Sequence, residues 1–221
     1  MSRNNTIGIV GTITEKPHLI LDATDWKRKV FETKIKRVRP SGAEDEAILQ
    51  YNGQAAGSKE MLEKIAEGAE VYVGGEIRTQ NVKKPKPTDS RVKVYIFAEM
   101  IGVNDPPVED QNEVKICGHI CREPRTRNAN KRAGHRKPIP VTDIIVAVNN
   151  PAGSHYIPCV CWQNVAEVAA QLEVGTYVEI YGRLQSRQFK KYIKESPAPY
   201  LMTAYEVSVI EMGLESDDAD E

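Results

Sequence analysis

The feature that most constrains the fold of this chain is a repeat of its own sequence at an offset of 107 residues. Residues 9–17, IVGTITEKP, resemble residues 116–124, ICGHICREP, with glycine, isoleucine and proline at matching places. The same offset relates residues 68–80, GAEVYVGGEIRTQ, to residues 175–187, GTYVEIYGRLQSR. It also relates Glu99 to Glu206. Because three separated segments share one offset, we infer that the chain contains two copies of one structural unit.

A short segment without periodicity separates the copies. Residues 105–112, DPPVEDQN, contain two prolines and three acidic residues, a composition typical of a linker. We therefore predict a first domain over residues 1–104, a linker over 105–112, a second domain over 113–212 and an acidic tail over 213–221.

Each copy has the hydrophobic pattern of β-strands interrupted by one short helix. In the second copy, the strands are predicted over residues 113–121, 139–149, 155–162, 177–189 and 200–211. Residues 163–172 show helical spacing of their apolar side chains, and Gly175 ends that segment. Five strands with a helix between the third and fourth are the order of an OB barrel. The predicted fold class is all-β, with one short helix per unit, as two tandem OB-fold five-stranded barrels.

Alternation along two strands of the second copy separates a core face from an aromatic and basic face. Successive strand residues point to opposite sides. Ile157, Cys159 and Cys161 then share the core side, opposite Tyr156, Val160 and Trp162. In the next strand Val178, Ile180 and Leu184 face the core, and the opposite side has these residues: Tyr177, Tyr181, Arg183, Gln185, Arg187 and Phe189. Aromatic rings interleaved with arginines suit single-stranded nucleic acid, because bases stack on the rings while cations contact phosphates.

The second copy resembles the bacterial single-stranded DNA-binding protein family, in its duplicated-OB form. The matching segments are residues 156–169, YIPCVCWQNVAEVA, residues 175–189, which begin at Gly175, and residues 203–207, TAYEV. The first copy resembles the family more weakly, mainly through residues 73–80, VGGEIRTQ. The resemblance implies an OB fold, single-stranded DNA binding without catalysis, and base stacking at Tyr156, Trp162 and Phe189.

Basic residues of two predicted loops complete the candidate site. Residues 122–137 join the first two strands of the second copy and contain seven cations and one acid. Lys190, Lys191 and Lys194 lie in the hairpin after the fourth strand. The residues predicted to bind nucleic acid are Tyr156, Trp162, Phe189, Arg183, Arg187, Arg122, Arg125, Arg127, Lys131, Arg132, Arg136, Lys137, Lys190 and Lys191. Contacts between these cations and phosphates predict binding that weakens strongly as salt increases.

The aromatic residues also have a simpler interpretation. Large aromatic side chains are usually buried, so packing in the core or at a subunit interface is the alternative role for Trp162 and Phe189. Tyr177 and Tyr181 suit a subunit interface as well as they suit DNA.

The polar residues indicate neither a metal site nor a catalytic site. Cys117 and Cys121 would lie ~13 Å apart along a strand, too far to share one metal ion or a disulfide. Cys159 and Cys161 lie on the predicted core face, and no CxxC pair occurs. The four histidines are scattered, and no nucleophile elbow, phosphate loop or zinc-protease motif is present. We expect no metal, no cofactor and no enzymatic activity.

The first copy departs from the binding pattern. Glu46, Tyr51 or Gly53, and Val82 stand near the places of the three stacking residues, while Glu76 and Gln80 replace the arginines. We therefore expect weak DNA binding by this copy, or a role mainly in oligomerisation. Its own candidates for DNA contact are Trp26, Tyr51, Tyr72, Arg78, Lys83, Lys84 and Lys86.

Charge and hydropathy indicate the setting. The last seven residues contain five acids and no base, and without them the chain has 30 bases and 26 acids, a net charge of +4. All of this excess lies in residues 113–214, which have 13 bases and 9 acids. The tail can therefore compete with a polyanion, but it lacks the apolar tip by which the family docks replication and repair partners. No secretory signal and no apolar stretch of about 20 residues is present, so we expect a cytoplasmic, nucleoid-associated protein with reduced cysteines.

Assembly and ligand follow from the resemblance as expectations. The family presents four OB units per assembly, so two per chain predict a homodimer. The ligand is expected to be single-stranded DNA in replication, recombination or repair, with replication or repair proteins as further partners. Two alternatives stay open on the sequence: a scaffold subunit of a replication or conjugation complex, and single-stranded RNA binding.

Overall fold

The computed structural model describes residues 4–83, 90–103, 111–129, 138–150, 153–193 and 198–214. Their contacts define two compact units. The N unit contains Ile7–Asn112 and Leu184–Tyr205, and the C unit contains Met1–Thr6, Glu113–Arg183 and Glu206–Glu221. The division differs from the predicted domains: Leu184–Tyr205, here called the distal hairpin, groups with the first copy, and Met1–Thr6 groups with the second copy.

The N unit is built on a closed five-stranded barrel, to which His18–Leu21 adds one short edge strand. Its strands are β1 (Asn5–Ile13), β2 (His18–Leu21), β3 (Val30–Val38), β4 (Glu44–Asn52), β5 (Glu70–Asn81) and β6 (Val92–Val103). The sheet order is β2-β3-β4-β6-β5-β1, and β1 closes the barrel by pairing with β3. The pairing of β4 with β6 is parallel, whereas β3–β4 and β5–β6 are antiparallel. Instead of one predicted helix, this unit has α1 (Gly53–Ala56), α2 (Lys59–Lys64) and a 3-10 turn at Trp26–Arg28.

The C unit repeats this topology. Its elements are β7 (Asn112–Ile120), β8 (Arg125–Ala129), β9 (Ile139–Asn150), β10 (Gly153–Trp162), α3 (Gln163–Ala169), β11 (Tyr177–Lys191) and β12 (Tyr200–Leu214). The order is β7-β11-β12-β10-β9-β8, with β7 closing on β9 and with β10 parallel to β12. Both copies therefore have the OB topology predicted from the sequence. All five strands predicted for the second copy are present, with ends that coincide or differ by at most three residues.

Each barrel has one additional short edge strand. β2 pairs only with β3 and β8 pairs only with β9, and adding 107 to residues 18–21 gives 125–128, inside β8. The duplication therefore extends to elements that sequence similarity does not reveal.

The core of each barrel consists of aliphatic side chains at alternating strand positions. In the N unit, Leu49, Val71, Val73, Ile77 and Ile96 are fully buried. In the C unit, the fully buried set includes Ile116, Val146, Ile157, Val178 and Ile180. Burial of aliphatic side chains is the main favourable contribution to the stability of such small barrels.

Two pairs of repeated glycines mark places where strands approach too closely for a side chain. A Cβ at Gly11 of β1 would lie 2.9 Å from the Lys36 carbonyl oxygen of β3. A Cβ at Gly118 of β7 would lie 2.3 Å from the Ala147 carbonyl oxygen of β9. A Cβ at Gly75 or at Gly182 would lie 2.2 or 2.4 Å from a carbonyl oxygen of the neighbouring strand. Members of each pair are 107 residues apart, so the repeated glycines reflect repeated backbone contacts.

Candidate nucleic-acid interface

Strand β10 of the C unit presents two aromatic side chains outward, as predicted. Tyr156 is 52% exposed and Trp162 is 38% exposed, whereas Ile157, Cys159 and Cys161 are buried. Val160 is also fully buried, although alternation places it on the outward side. The two rings are therefore separate exposed surfaces, six residues apart along the strand.

Arginines of β8 lie in the same cross-strand rows as this aromatic face. Trp162 pairs with Val141 on β9, which in turn pairs with Arg127 on β8, and the next row joins Val160, Asp143 and Arg125. Directly paired residues of antiparallel strands point to the same side of a sheet. Arg125 and Arg127 therefore share the outward face with Trp162.

The predicted basic loop is partly a strand. Residues 125–129 form β8, which pairs along its whole length with β9, so the prediction of a loop over 122–137 is wrong for this part. The Thr126 and Thr142 hydroxyls hydrogen-bond at 3.0 Å, and the Arg127 guanidinium donates to both carboxylate oxygens of Asp143, at 3.1 and 3.2 Å. These cross-strand pairs stabilise the strand, and Asp143 partly neutralises Arg127. Arg122 and Arg125 are exposed. The other predicted cations of this loop, Lys131, Arg132, Arg136 and Lys137, lie outside the described residues.

A second aromatic row on the C unit includes a histidine that the sequence reasoning missed. Tyr156 pairs with Ala147 on β9, Ala147 with His119 on β7, and His119 with Tyr177 on β11. The His119 and Tyr177 rings meet edge to face with centroids 5.2 Å apart. Alternation along β7 would have identified His119, because Ile116, Gly118 and Ile120 occupy the buried positions.

Beside this row, a charged cluster covers the outward face of β7 and β11. The Lys115 ammonium forms an ion pair with Glu179 and lies 5.1 Å from the centroid of the Tyr181 ring. The Tyr181 hydroxyl donates to Glu179 at 2.7 Å. These contacts raise the pKa of Lys115, and the hydrogen bonds from Lys115 and Tyr181 lower the pKa of Glu179. Because the charge of Lys115 is already paired with Glu179, it attracts a phosphate less strongly. For the neighbouring Tyr181, this favours a place in a subunit interface over a contact with DNA.

The chain around Trp162 is uncapped and strained. Trp162 occupies the N-cap position of α3 and offers no side-chain hydrogen bond, whereas the register-equivalent Asn52 caps α1 by accepting from Ala55. Gln163 has φ of +52°, and it is alone among the described non-glycine residues in having a positive φ. A missing cap costs about 1 kcal/mol, and a left-handed residue costs about 1–3 kcal/mol. The uncapped helix start and the left-handed residue therefore both lie at the exposed Trp162 ring, which does not stabilise the helix.

The remaining predicted site residues lie on β11. Arg183 is half-buried, and its Nε has no hydrogen-bond partner among the described residues. On the distal hairpin, the Arg187 guanidinium lies 5.6 Å from the centroid of the half-buried Phe189 ring. Lys190 is exposed and Lys191 is half-buried, whereas Lys194 lies outside the described residues. Gln185, predicted to be on the outward face, is buried, and its side-chain oxygen accepts a 3.4 Å hydrogen bond from Arg39.

Several candidates of the first copy are already engaged in other contacts. Tyr51 is 1% exposed and stacks on Phe31 with centroids 5.5 Å apart, so the prediction that it contacts DNA is wrong. Arg78 forms an ion pair with Glu76 at 2.5 Å and lies 3.8 Å from the centroid of the Phe97 ring. Trp26 is half-buried within its 3-10 turn. Tyr72 is half-buried and Lys83 is exposed, whereas Lys84 and Lys86 lie outside the described residues.

The cysteines are structural residues in the described part of the chain. Cys117, Cys159 and Cys161 are buried, Cys121 is half-buried, and all four are free thiols. Burial raises the pKa of Cys161 to about 12 and raises that of Cys159 well above its ordinary value. Among the residues that the structure describes, no three His, Cys, Asp or Glu side chains cluster in a way that could hold a metal ion.

None of the helices among the described residues is long and apolar enough to span a membrane.

Comparisons with known proteins agree with this geometry. A search of curated protein sequences finds no match. Two crystal structures of the single-stranded DNA binding protein from Thermus aquaticus share the fold. The wild-type structure has a TM-score of 0.72 at 17% identity and covers 98% of this chain and 95% of that chain. A deletion mutant has a TM-score of 0.71 at 19% identity and covers 98% of this chain and 96% of that chain.

One protein-family model matches the second copy. Residues 111–209 match the model of the single-strand binding protein family. This segment contains Tyr156 and Trp162, the β8 arginines, and Arg187 and Phe189 of the distal hairpin. The second copy is therefore similar to the single-strand binding protein family over residues 111–209.

Proposed function

We propose that this protein binds single-stranded DNA without sequence preference, and that the second copy supplies the main contacts. The observation that most supports this function is the pair of exposed rings on β10, Tyr156 and Trp162, of which Trp162 shares a cross-strand row with Arg127 of β8. Stacking is possible on every base because each has a π-face, while arginines contact phosphates irrespective of sequence. We assign no catalytic step to the protein and place it in the cytosol at the nucleoid, where single-stranded DNA is exposed during replication, recombination and repair.

A fluorescence titration tests the proposed function. The chain has two tryptophans, so a Trp26→Phe variant leaves Trp162 as the single reporter. We expect oligo-dT to quench this emission, duplex DNA to bind far more weakly, and the dT affinity to fall as salt rises, because phosphate contacts release counterions. A parallel titration with oligo-U decides between DNA and RNA. Neither quenching nor salt dependence would favour the scaffold role instead.

We also propose that the chain assembles as a homodimer with four OB units. The outward side of β7 and β11, with Tyr177, Tyr181 and the Lys115–Glu179 pair, supports this assembly because aromatic residues are enriched at protein interfaces. Light scattering at micromolar concentration should give twice the chain mass of 24.7 kDa. A monomer mass would contradict the proposal, and a Tyr181→Asp variant should shift the equilibrium towards monomer.

A further inference from the structure

Within the N unit, the distal hairpin is fastened to β4 by a set of hydrogen bonds. The Ser186 backbone N–H donates to Oδ1 of Asp45 at 2.9 Å, and the Glu46 backbone N–H donates to Oγ of Ser186 at 2.9 Å. The Tyr205 hydroxyl donates to Oε1 of Glu46 at 2.7 Å. These contacts, here called the hairpin latch, join residues that are 140 to 159 positions apart. Both strands of the distal hairpin are therefore held from the same two residues of β4.

The latch is partly buried, and an ion pair with a buried carboxylate orients it. Asp45 is 4% exposed and accepts hydrogen bonds from Nε and Nη2 of Arg39, both at 2.5 Å. Arg39 also donates to Gln185 of the hairpin at 3.4 Å, and Asp45 raises the pKa of Arg39 by hydrogen bonding. Burial, and next the Glu46 carboxylate, raise the pKa of Tyr205, so its hydroxyl stays protonated as a donor. Charged, bidentate hydrogen bonds such as those between Arg39 and Asp45 favour one fixed geometry.

Cross-strand register shows which residue of the second copy corresponds to Glu46 of the latch. In the C unit, Tyr156 pairs with Ala147, which pairs with His119. In the N unit, Glu46 pairs with Lys36, which pairs with Thr12, and residue 12 corresponds to residue 119 at the offset of 107. Glu46 therefore occupies the place of Tyr156. The first copy has a carboxylate that holds the hairpin where the second copy has an exposed stacking ring.

We propose that Asp45 and Glu46 of the first copy are positioning residues for DNA binding, because they hold the hairpin that presents Phe189, Arg187 and Lys190. This inference rests on the proposed function. The first copy contributes to affinity through the hairpin it fixes, although its own candidate Tyr51 is buried and its Arg78 is paired. A ring and cations that are already ordered lose less conformational entropy when a strand binds them.

The test measures the oligo-dT affinity of three full-length proteins: the wild type, Asp45→Asn, and the neighbouring variant Glu44→Gln. Glu44 is the matched control, since it is exposed on the same strand and pairs with Lys36 at 3.0 Å, away from the hairpin. We expect Asp45→Asn to weaken binding about tenfold, similar to the loss of one stacked base, and Glu44→Gln to leave it unchanged. Tyr205→Phe, which keeps the ring and removes one latch hydrogen bond, should weaken binding less. Thermal melting identifies any variant that fails to fold.

A double-mutant cycle separates positioning from general damage. In a Phe189→Ala, Arg187→Ala and Lys190→Ala background, Asp45→Asn should have no further effect on affinity, because the hairpin then has nothing left to position. Hydrogen exchange of the DNA-free protein should show faster exchange at the Ser186 amide in Asp45→Asn. If wild-type protein does not bind oligo-dT, the proposed function fails. If wild type binds and folded Asp45→Asn binds equally, or if its loss persists unchanged in the background variant, the positioning role is overturned.

Discussion

A Tyr156→Ala, Trp162→Ala double variant is expected to bind oligo-dT about thirtyfold more weakly than wild type, or worse. Each base stacked on an aromatic ring contributes about 1–3 kcal/mol, so the loss of two platforms costs at least about 2 kcal/mol. Both rings are exposed on β10, so their removal acts on the binding surface more than on the core. Affinity from titration of labelled oligo-dT at fixed salt measures the effect.

The matched control removes the same residue types from the first copy. A Trp26→Ala, Tyr72→Ala variant should keep affinity within about twofold, since we expect the second copy to supply the main contacts. Phenylalanine at Tyr156 and Trp162 should retain most of the binding, because the ring and not its polar atom stacks. Equal losses in the two double variants would refute the asymmetry between the copies, and a full loss with the phenylalanine variants would refute stacking.

A Gly182→Ala variant is expected to lose about 3 kcal/mol or more of folding free energy, because overpacking against backbone cannot be relieved by a rotamer change. The new Cβ would lie 2.4 Å from the Ser208 carbonyl oxygen and 3.0 Å from Cγ1 of Val207. Either β11 or β12 would have to move, and both are barrel strands of the C unit. Chemical denaturation followed by circular dichroism measures the change.

Gly102→Ala is the control for this experiment. Gly102 also lies in a barrel strand, but a Cβ there would meet no atom within 4 Å. Its replacement should leave stability unchanged or raise it slightly, since alanine restricts the unfolded chain. Gly75→Ala, at the corresponding place in the first copy, should resemble Gly182→Ala. Similar stabilities of the Gly102 and Gly182 variants would contradict the steric explanation.

Tyr156 and Trp162 show how much of the candidate site can be predicted from local sequence pattern. Alternation with period two placed Tyr156 and Trp162 outward and Cys159 and Cys161 inward, and the structure has all four as predicted. The same reasoning failed for Gln185, which is buried, whereas Arg183 and Arg187, two positions to either side, are not. Alternation assigns a side of the strand, but it does not tell whether another segment covers that side.

The burial and pairing of the remaining residues depend on partners that are distant in the sequence. Tyr51 is buried because Phe31 of the adjacent strand stacks on it, and Arg127 is partly neutralised because β8 pairs in register with Asp143. Glu46 appeared from the sequence to be a lost stacking position, whereas it accepts a hydrogen bond from Tyr205, 159 residues away. None of these partners lies within the window over which periodicity or propensity acts.

The amino-acid sequence alone determined that the chain is a tandem duplication, that each copy is an OB barrel, and which strand has the two exposed aromatic rings. These features depend on repeat spacing and on alternation within one strand, both of which are local. Only the tertiary structure decided that β8 is a strand, that His119 joins the aromatic row, and that the distal hairpin belongs with the first copy. Those outcomes depend on which strands meet and in which register, and register is set by contacts between residues far apart in the chain.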